Sequence, residues 1–201
     1  MNPRSLRPIG SSRFVAALAV ACVAFGSVLP ASSEGTPPCK DSAAQMKSDR
    51  ARARALTASL RRRDVSPAAV REALTATEEF KSDYDRASVL VGIARTRMLD
   101  DRMVEAYLDA SAAMRSDSDR ARTYLAVLGA VELSEPRLIS LLRSASSLHS
   151  DYDLARVLIS VRGRYSIEGI TRMAYLQAAD NIQSDRERNR ALAGVRRFAD
   201  M

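Results

Sequence analysis

Ser48, Ser82, Ser116, Ser150 and Ser184 each open a similar phrase, and consecutive serines stand 34 residues apart. The phrases are SDRARARAL, SDYDRASVL, SDSDRARTY, SDYDLARVL and SDRERNRAL. A period held over four intervals without insertion is the signature of stacked repeats, each burying its apolar face against its neighbours. A chain built this way presents a surface rather than an enclosed pocket. The period therefore constrains architecture more tightly than chemistry.

Counting the serine as position one, position two is acidic in every copy: Asp49, Asp83, Asp117, Asp151 and Asp185. Position four is acidic in four copies, at Asp85, Asp119, Asp153 and Glu187. Ser with an acid three residues later, ahead of an apolar run, reads as a capping box. On that reading Ser82, Ser116, Ser150 and Ser184 accept a first-turn amide, and Asp85, Asp119, Asp153 and Glu187 reach back to the serine amide. Both acids also lie at the positive end of the helix dipole. Apolar residues follow at intervals of three. They are Ala53, Ala87, Ala121 and Ala155 at position six, then Leu56, Leu90, Tyr124, Leu158 and Leu192 at position nine. That spacing is helical, and the alanine allows a neighbouring helix to come close.

A second helix fits the back half of the unit. Position nineteen is Ser66, Asp100, Ser134 and Glu168, with Pro67 and Pro136 in the first turn of two copies. These are helix-opening signals. The apolar face runs through Leu74, Leu108, Leu142 and Leu176 and closes with Phe80, Met114, Leu148 and Ile182. The expected fold is all-α: an α-solenoid of four full helix–turn–helix units, starting at 48, 82, 116 and 150, plus a terminal helix from 184. In the first copy Ala51 replaces the position-four acid and nothing breaks the chain before Ser48. That predicts either one continuous helix from about Asp41 to Arg62 or a short half-unit capping the stack. At the other end Asn189, Arg196 and Arg197 fit a solvent-facing last helix.

The N-terminus reads differently. Arg4, Arg7 and Arg13 precede an apolar run from Phe14 to about Leu29, followed by Ala31-Ser32-Ser33. This is the pattern of a secretory signal peptide. The run is short for a membrane span. The expected organisation is a signal peptide over 1–31, a flexible linker over 32–40 and the repeat domain over 41–201. An exported protein, periplasmic or secreted, follows. The alternatives are an uncleaved anchor or a lipoprotein at Cys22, and the leader is the only expected link to a membrane. Cys39 alone remains after cleavage, so no internal disulfide is expected. It could pair two copies, although an exposed thiol without a role is the plainer reading. The full chain carries 31 basic and 24 acidic residues, a net +7. The leader removes three arginines and no acid, which leaves +4, a modest charge. With 5% aromatic residues and no tryptophan, stacking platforms for nucleic acid are poorly supplied.

The pairs Asp83/Asp85, Asp117/Asp119 and Asp151/Asp153 resemble metal ligands in spacing, but they recur at helix starts, where capping explains them. No metal or cofactor is expected. Arginines recur at position five (Arg52, Arg86, Arg120, Arg188) and position seven (Arg54, Arg122, Arg156, Arg190). Stacking would bring copies together as a basic ladder, with Arg54, Arg86, Arg120, Arg122, Arg156 and Arg190 as candidate binding residues. The plainer alternative pairs each with the acid before it: Asp83–Arg86, Asp119–Arg122 and Asp153–Arg156. His149, the one histidine, reads as exposed and polar. Tyr84, Tyr152, Tyr107 and Tyr175 recur at unit-related positions and read as packing residues. There is no Gly-rich phosphate loop, HExxH or GxSxG, so the expectation is not an enzyme.

The SDYDxARVL phrase on a 34-residue unit resembles tandem helical repeats of exported or membrane-anchored bacterial proteins, some of which follow regulatory membrane metallopeptidase-like modules. Most have no assigned activity. The unit matches a tetratricopeptide repeat in length only, since the aromatic, glycine and closing proline positions of that repeat are missing. The resemblance spans Ser48 to Met201; it implies a helical solenoid and brings no catalytic residues. The expected function is a non-catalytic scaffold binding another envelope protein. The alternative is a ligand-responsive sensor holding an anion on the arginine ladder.

Overall fold

The computed structural model describes the backbone from Pro38 to Val195, and side chains from Lys47 onward. The expected signal peptide, Cys22, the Cys39 side chain, Arg196 and Arg197 lie outside the described residues. Within them are nine α-helices and no strand. They are α1 (Pro38–Leu60), α2 (Pro67–Ala76, continued by a 3₁₀ turn over Thr77–Glu79), α3 (Asp83–Arg95), α4 (Asp101–Ala112), α5 (Asp117–Ala130), α6 (Glu135–Ala145), α7 (Asp151–Arg162), α8 (Gly169–Asp180) and α9 (Asp185–Leu192). Odd-numbered helices pack in sequence, α1 on α3, α3 on α5, α5 on α7 and α7 on α9. Even-numbered helices do the same, α2 on α4, α4 on α6 and α6 on α8. The result is an α-solenoid of two helical layers around one continuous core.

Of the two forms open to the first copy, α1 takes the continuous one, running through Lys47 and Ser48. It begins three residues earlier than expected, at Pro38, because proline is well tolerated at the first helical position.

The layers meet where the periodicity places apolar side chains. Ala53, Ala87, Ala121 and Ala155 are buried, as are Leu90, Tyr124 and Leu158 three residues on. Position eleven is small in every copy (Ala58, Gly92, Ala126, Ser160, Gly194). A Cβ on Gly92 would sit 3.4 Å from Leu60 Cδ1 and 3.7 Å from Thr57 Cγ2, which shows how closely α1 lies against α3.

The joints between units are made by the position-two aspartates. Asp83 Oδ2 accepts from the amides of Arg115 (2.8 Å) and Ser116 (2.9 Å). Asp117 Oδ2 accepts from His149 and Ser150, both at 2.8 Å. Asp151 accepts from Gln183 (3.1 Å) and Ser184 (2.7 Å). Asp49 takes the Lys81 amide at 3.0 Å. Each carboxylate thus clamps the turn that opens the next unit, using charge-assisted bonds to amides that lack a helical partner. Asp185, with no following unit among the described residues, is 92% exposed.

This clamp corrects half of the expected capping box. Ser82, Ser116, Ser150 and Ser184 do accept the position-four amide, at 3.3–3.4 Å. The amides of Ser116, Ser150 and Ser184, however, go to the aspartate of the preceding unit. The position-four acids are released for other partners: Asp119 pairs with Arg122 at 3.3 Å, Asp153 with Arg156 at 3.3 Å, and Glu187 with Arg190. Position four of the second unit, Asp85, is buried and faces no arginine at position seven, where Ser88 stands.

The second layer is tied to the first by buried tyrosines. The hydroxyls of Tyr107 and Tyr175, both at position twenty-six, donate to the carbonyls of Thr123 (2.9 Å) and Ala191 (2.7 Å) on the next odd-numbered helix. Burial pushes both phenols up from their ordinary value near 10, Tyr175 to about 12. An unfolded tyrosine releases its proton near pH 10 while the folded one keeps it, so stability is full below pH 10 and falls as pH rises toward 12. The midpoint of urea unfolding is expected to drop over that window. The drop should be shallower in Tyr175→Phe, and an equal slope in the two proteins would show that Tyr175 carries none of it.

Candidate functional site

Positions three and seven of the odd-numbered helices are four residues apart and share a face. Position three is Arg50, Tyr84, Ser118, Tyr152 and Arg186; position seven is Arg54, Ser88, Arg122, Arg156 and Arg190. All ten are exposed or half-buried, and together they form a stripe crossing α1, α3, α5, α7 and α9. Tyr84 and Tyr152 are each 55% exposed. This corrects their reading as packing residues, which holds for Tyr107 and Tyr175 alone. The Arg122 guanidinium lies over the Tyr84 ring at 4.9 Å, and Arg156 over Tyr152 at 5.4 Å. Arg122 also donates to the Tyr84 carbonyl at 3.1 Å and to Ser88 Oγ at 3.4 Å.

The position-five arginines do not join this stripe. Arg86 donates to the carbonyls of Thr77 (3.0 Å) and Phe80 (2.6 Å), and no Asp83–Arg86 pair forms among the described residues. Arg120 is buried. It donates to Ser144 O (3.1 Å), Ser147 O (3.3 Å) and Ser147 Oγ (2.5 Å), with Asp117 at 3.7 Å. Arg188 donates to the Ile182 carbonyl. These three complete the carbonyl ends of even-numbered helices, where a cation is favoured. Two residues along a helix is a rotation of about 200°, so positions five and seven face opposite ways. Of the candidate ladder, Arg86 and Arg120 are structural, while Arg54, Arg122, Arg156 and Arg190 stand on the surface stripe.

At one end the stripe opens into a groove of about 580 Å³ between the C-terminal part of α1 and α3. Its rim carries Arg61, Arg62, Arg63, Arg95 and Arg122, and its walls include Val65, Val91 and Met98. No acid lines it. Arg62 hydrogen-bonds the neighbouring Asp64 at 3.2 Å through two nitrogens, which holds that carboxyl below its ordinary value. Arg61, Arg63 and Arg95 meet no acid among the described residues. Position fourteen holds Arg61 and Arg95 in the first two units but Gly129 and Gly163 in the next two. That break in an otherwise regular position was the signal available in the sequence, and tracking the repeat alone passes over it.

No three of the described His, Cys, Asp and Glu side chains come together as a metal site. Asp83, Asp117 and Asp151 are occupied as clamps, and Asp119 and Asp153 as ion-pair partners. His149 is 94% exposed, its Nδ1 3.9 Å from Asp117. No described helix is long and apolar enough to cross a membrane. No known protein family, curated protein or solved structure matches the chain.

Proposed function

We propose that this chain is an exported, non-catalytic repeat scaffold of the bacterial envelope, and that it holds a partner protein along the arginine–tyrosine stripe of its odd-numbered helices. The observation that carries the reading is the recurrence of exposed Tyr–Arg stacks at Tyr84/Arg122 and Tyr152/Arg156. Tyrosine and arginine are enriched among the residues that carry interface energy. A broad rigid ring is ordered at little entropic cost, and arginine presents several donors in a fixed fork on a long stem that is costly to order. A stack that already holds the guanidinium in place reduces that cost. The sensor alternative rested on an arginine ladder of which Arg86 and Arg120 serve the fold, and the stripe without them favours a macromolecular partner.

The test is affinity capture from an envelope extract with the wild-type chain and with Tyr84→Ala/Tyr152→Ala. Both tyrosines are exposed, so the variant should keep its melting temperature. Loss of a captured protein in the variant, by about tenfold or more, is the expected result. A variant that retains the same protein, or a wild-type chain that retains none, would remove the reading.

A further inference from the structure

We infer that the groove between α1 and α3 seats a short acidic segment of the partner polypeptide, its carboxylates on Arg61, Arg63 and Arg95 and an apolar side chain against Val65, Val91 and Met98. This rests on the scaffold reading and adds the chemistry of the partner. The residues involved are ones the repeat does not require. Position fourteen is glycine in the third and fourth units, and position sixteen, Arg63 in the first, is Val131 and Tyr165 there. The fold is built equally well with either set.

The groove also concentrates charge of one sign. Five arginine side chains surround one recess that no acid enters. Arg62 and Arg122 have carboxylate neighbours outside it, Asp64 and Asp119, and Arg61, Arg63 and Arg95 meet none among the described residues. Like charges gathered at a concave surface raise the local potential and attract an anion, whose arrival relieves their repulsion. The walls add a second requirement. Met98 is 38% exposed and Val65 and Val91 are half-buried, so an occupant with an apolar side chain removes more surface from water than a bare anion does. A recess of about 580 Å³ accepts a few side chains of an extended chain, whereas a flat bilayer surface cannot reach into it. Arg122 belongs to both the groove and the Tyr84 stack, so a segment leaving the groove is led onto the stripe.

The experiment is fluorescence anisotropy on the full-length chain with a labelled peptide of glutamates containing two leucines. Two control peptides carry glutamine for glutamate and alanine for leucine. The acidic, leucine-bearing peptide should bind, more weakly as salt rises, and each control should bind less well. Arg61→Ala/Arg63→Ala/Arg95→Ala should weaken binding by about tenfold or more. Met98→Glu, a single exposed change, should weaken it as well. Equal binding by the glutamine peptide, or wild-type affinity in both variants, would overturn the inference. So would competition by inorganic phosphate or anionic phosphatidylglycerol vesicles that matches the peptide. Capture of the envelope partner by the triple variant, with capture still lost in Tyr84→Ala/Tyr152→Ala, would sink the groove and leave the scaffold standing.

Discussion

Replacing Asp117 by alanine is expected to lower the free energy of unfolding by about 2–4 kcal/mol. The carboxylate takes two backbone amides at 2.8 Å, those of His149 and Ser150, and lies 3.7 Å from buried Arg120. Removing it leaves both amides without an acceptor at a joint that already lacks helical partners there, and the cost of a lost acceptor exceeds the net worth of an ordinary hydrogen bond. The effect should be local in an informative way. Asp117 joins the third unit to the fourth, and the stability of a repeat array is a sum of unit and interface contributions. Urea unfolding followed by circular dichroism should therefore show a lower midpoint and either a reduced slope or a second transition. Asp117→Asn keeps one acceptor and should lose less. Asp185→Ala, at a residue 92% exposed, should change stability by less than about 0.5 kcal/mol. Equal losses at Asp117 and Asp185 would refute the clamp.

The second large effect separates two arginines that stand two residues apart. Arg120→Ala should destabilise by about 2–4 kcal/mol, since it removes a buried cation from Ser144, Ser147 and Asp117 and leaves their oxygens under-satisfied. Arg122→Ala should cost no more than about 1 kcal/mol. Its side chain is 38% exposed, and a surface ion pair with one aromatic stack contributes little to folding. Urea midpoints of the two variants decide the matter. A large loss at Arg122 would make the stripe a structural seam rather than a surface for a partner.

The architecture was open to reading from the amino acids because its signals are local and repeated. Alanine at position six, leucine three residues on and serine at each helix start all act within one turn of one helix, and 34-residue recurrence multiplies them. The role of the position-two aspartates was not readable in the same way. Asp83 and Asp117 look like first-turn acids in any helix, and their actual partners lie 32 and 33 residues away. Those distances become neighbours only once the stacking geometry is known. The arginines of positions five and seven share a composition but not a direction: Arg86, Arg120 and Arg188 turn to backbone carbonyls of the fold, while Arg54, Arg122, Arg156 and Arg190 stand on the surface stripe. Tyr84 and Tyr107 illustrate the same limit: recurrence shows that a position matters to the unit without showing which side of the helix it faces. The groove was hidden for the opposite reason. Arg61, Arg63 and Arg95 belong to no rule of the repeat, and only the packing of α1 against α3 brings them together.

The unbroken course of α1 has a consequence for assembly. At the joints before Ser116, Ser150 and Ser184 the chain leaves its helix, and the two amides freed there meet a carboxylate. In α1 the corresponding amides, those of Lys47 and Ser48, are committed to the helix itself. A second molecule offering its exposed Asp185 would find neither of these two amides free. End-to-end addition of identical subunits, which would otherwise propagate without closure into fibres, is thus denied its natural adhesive contact.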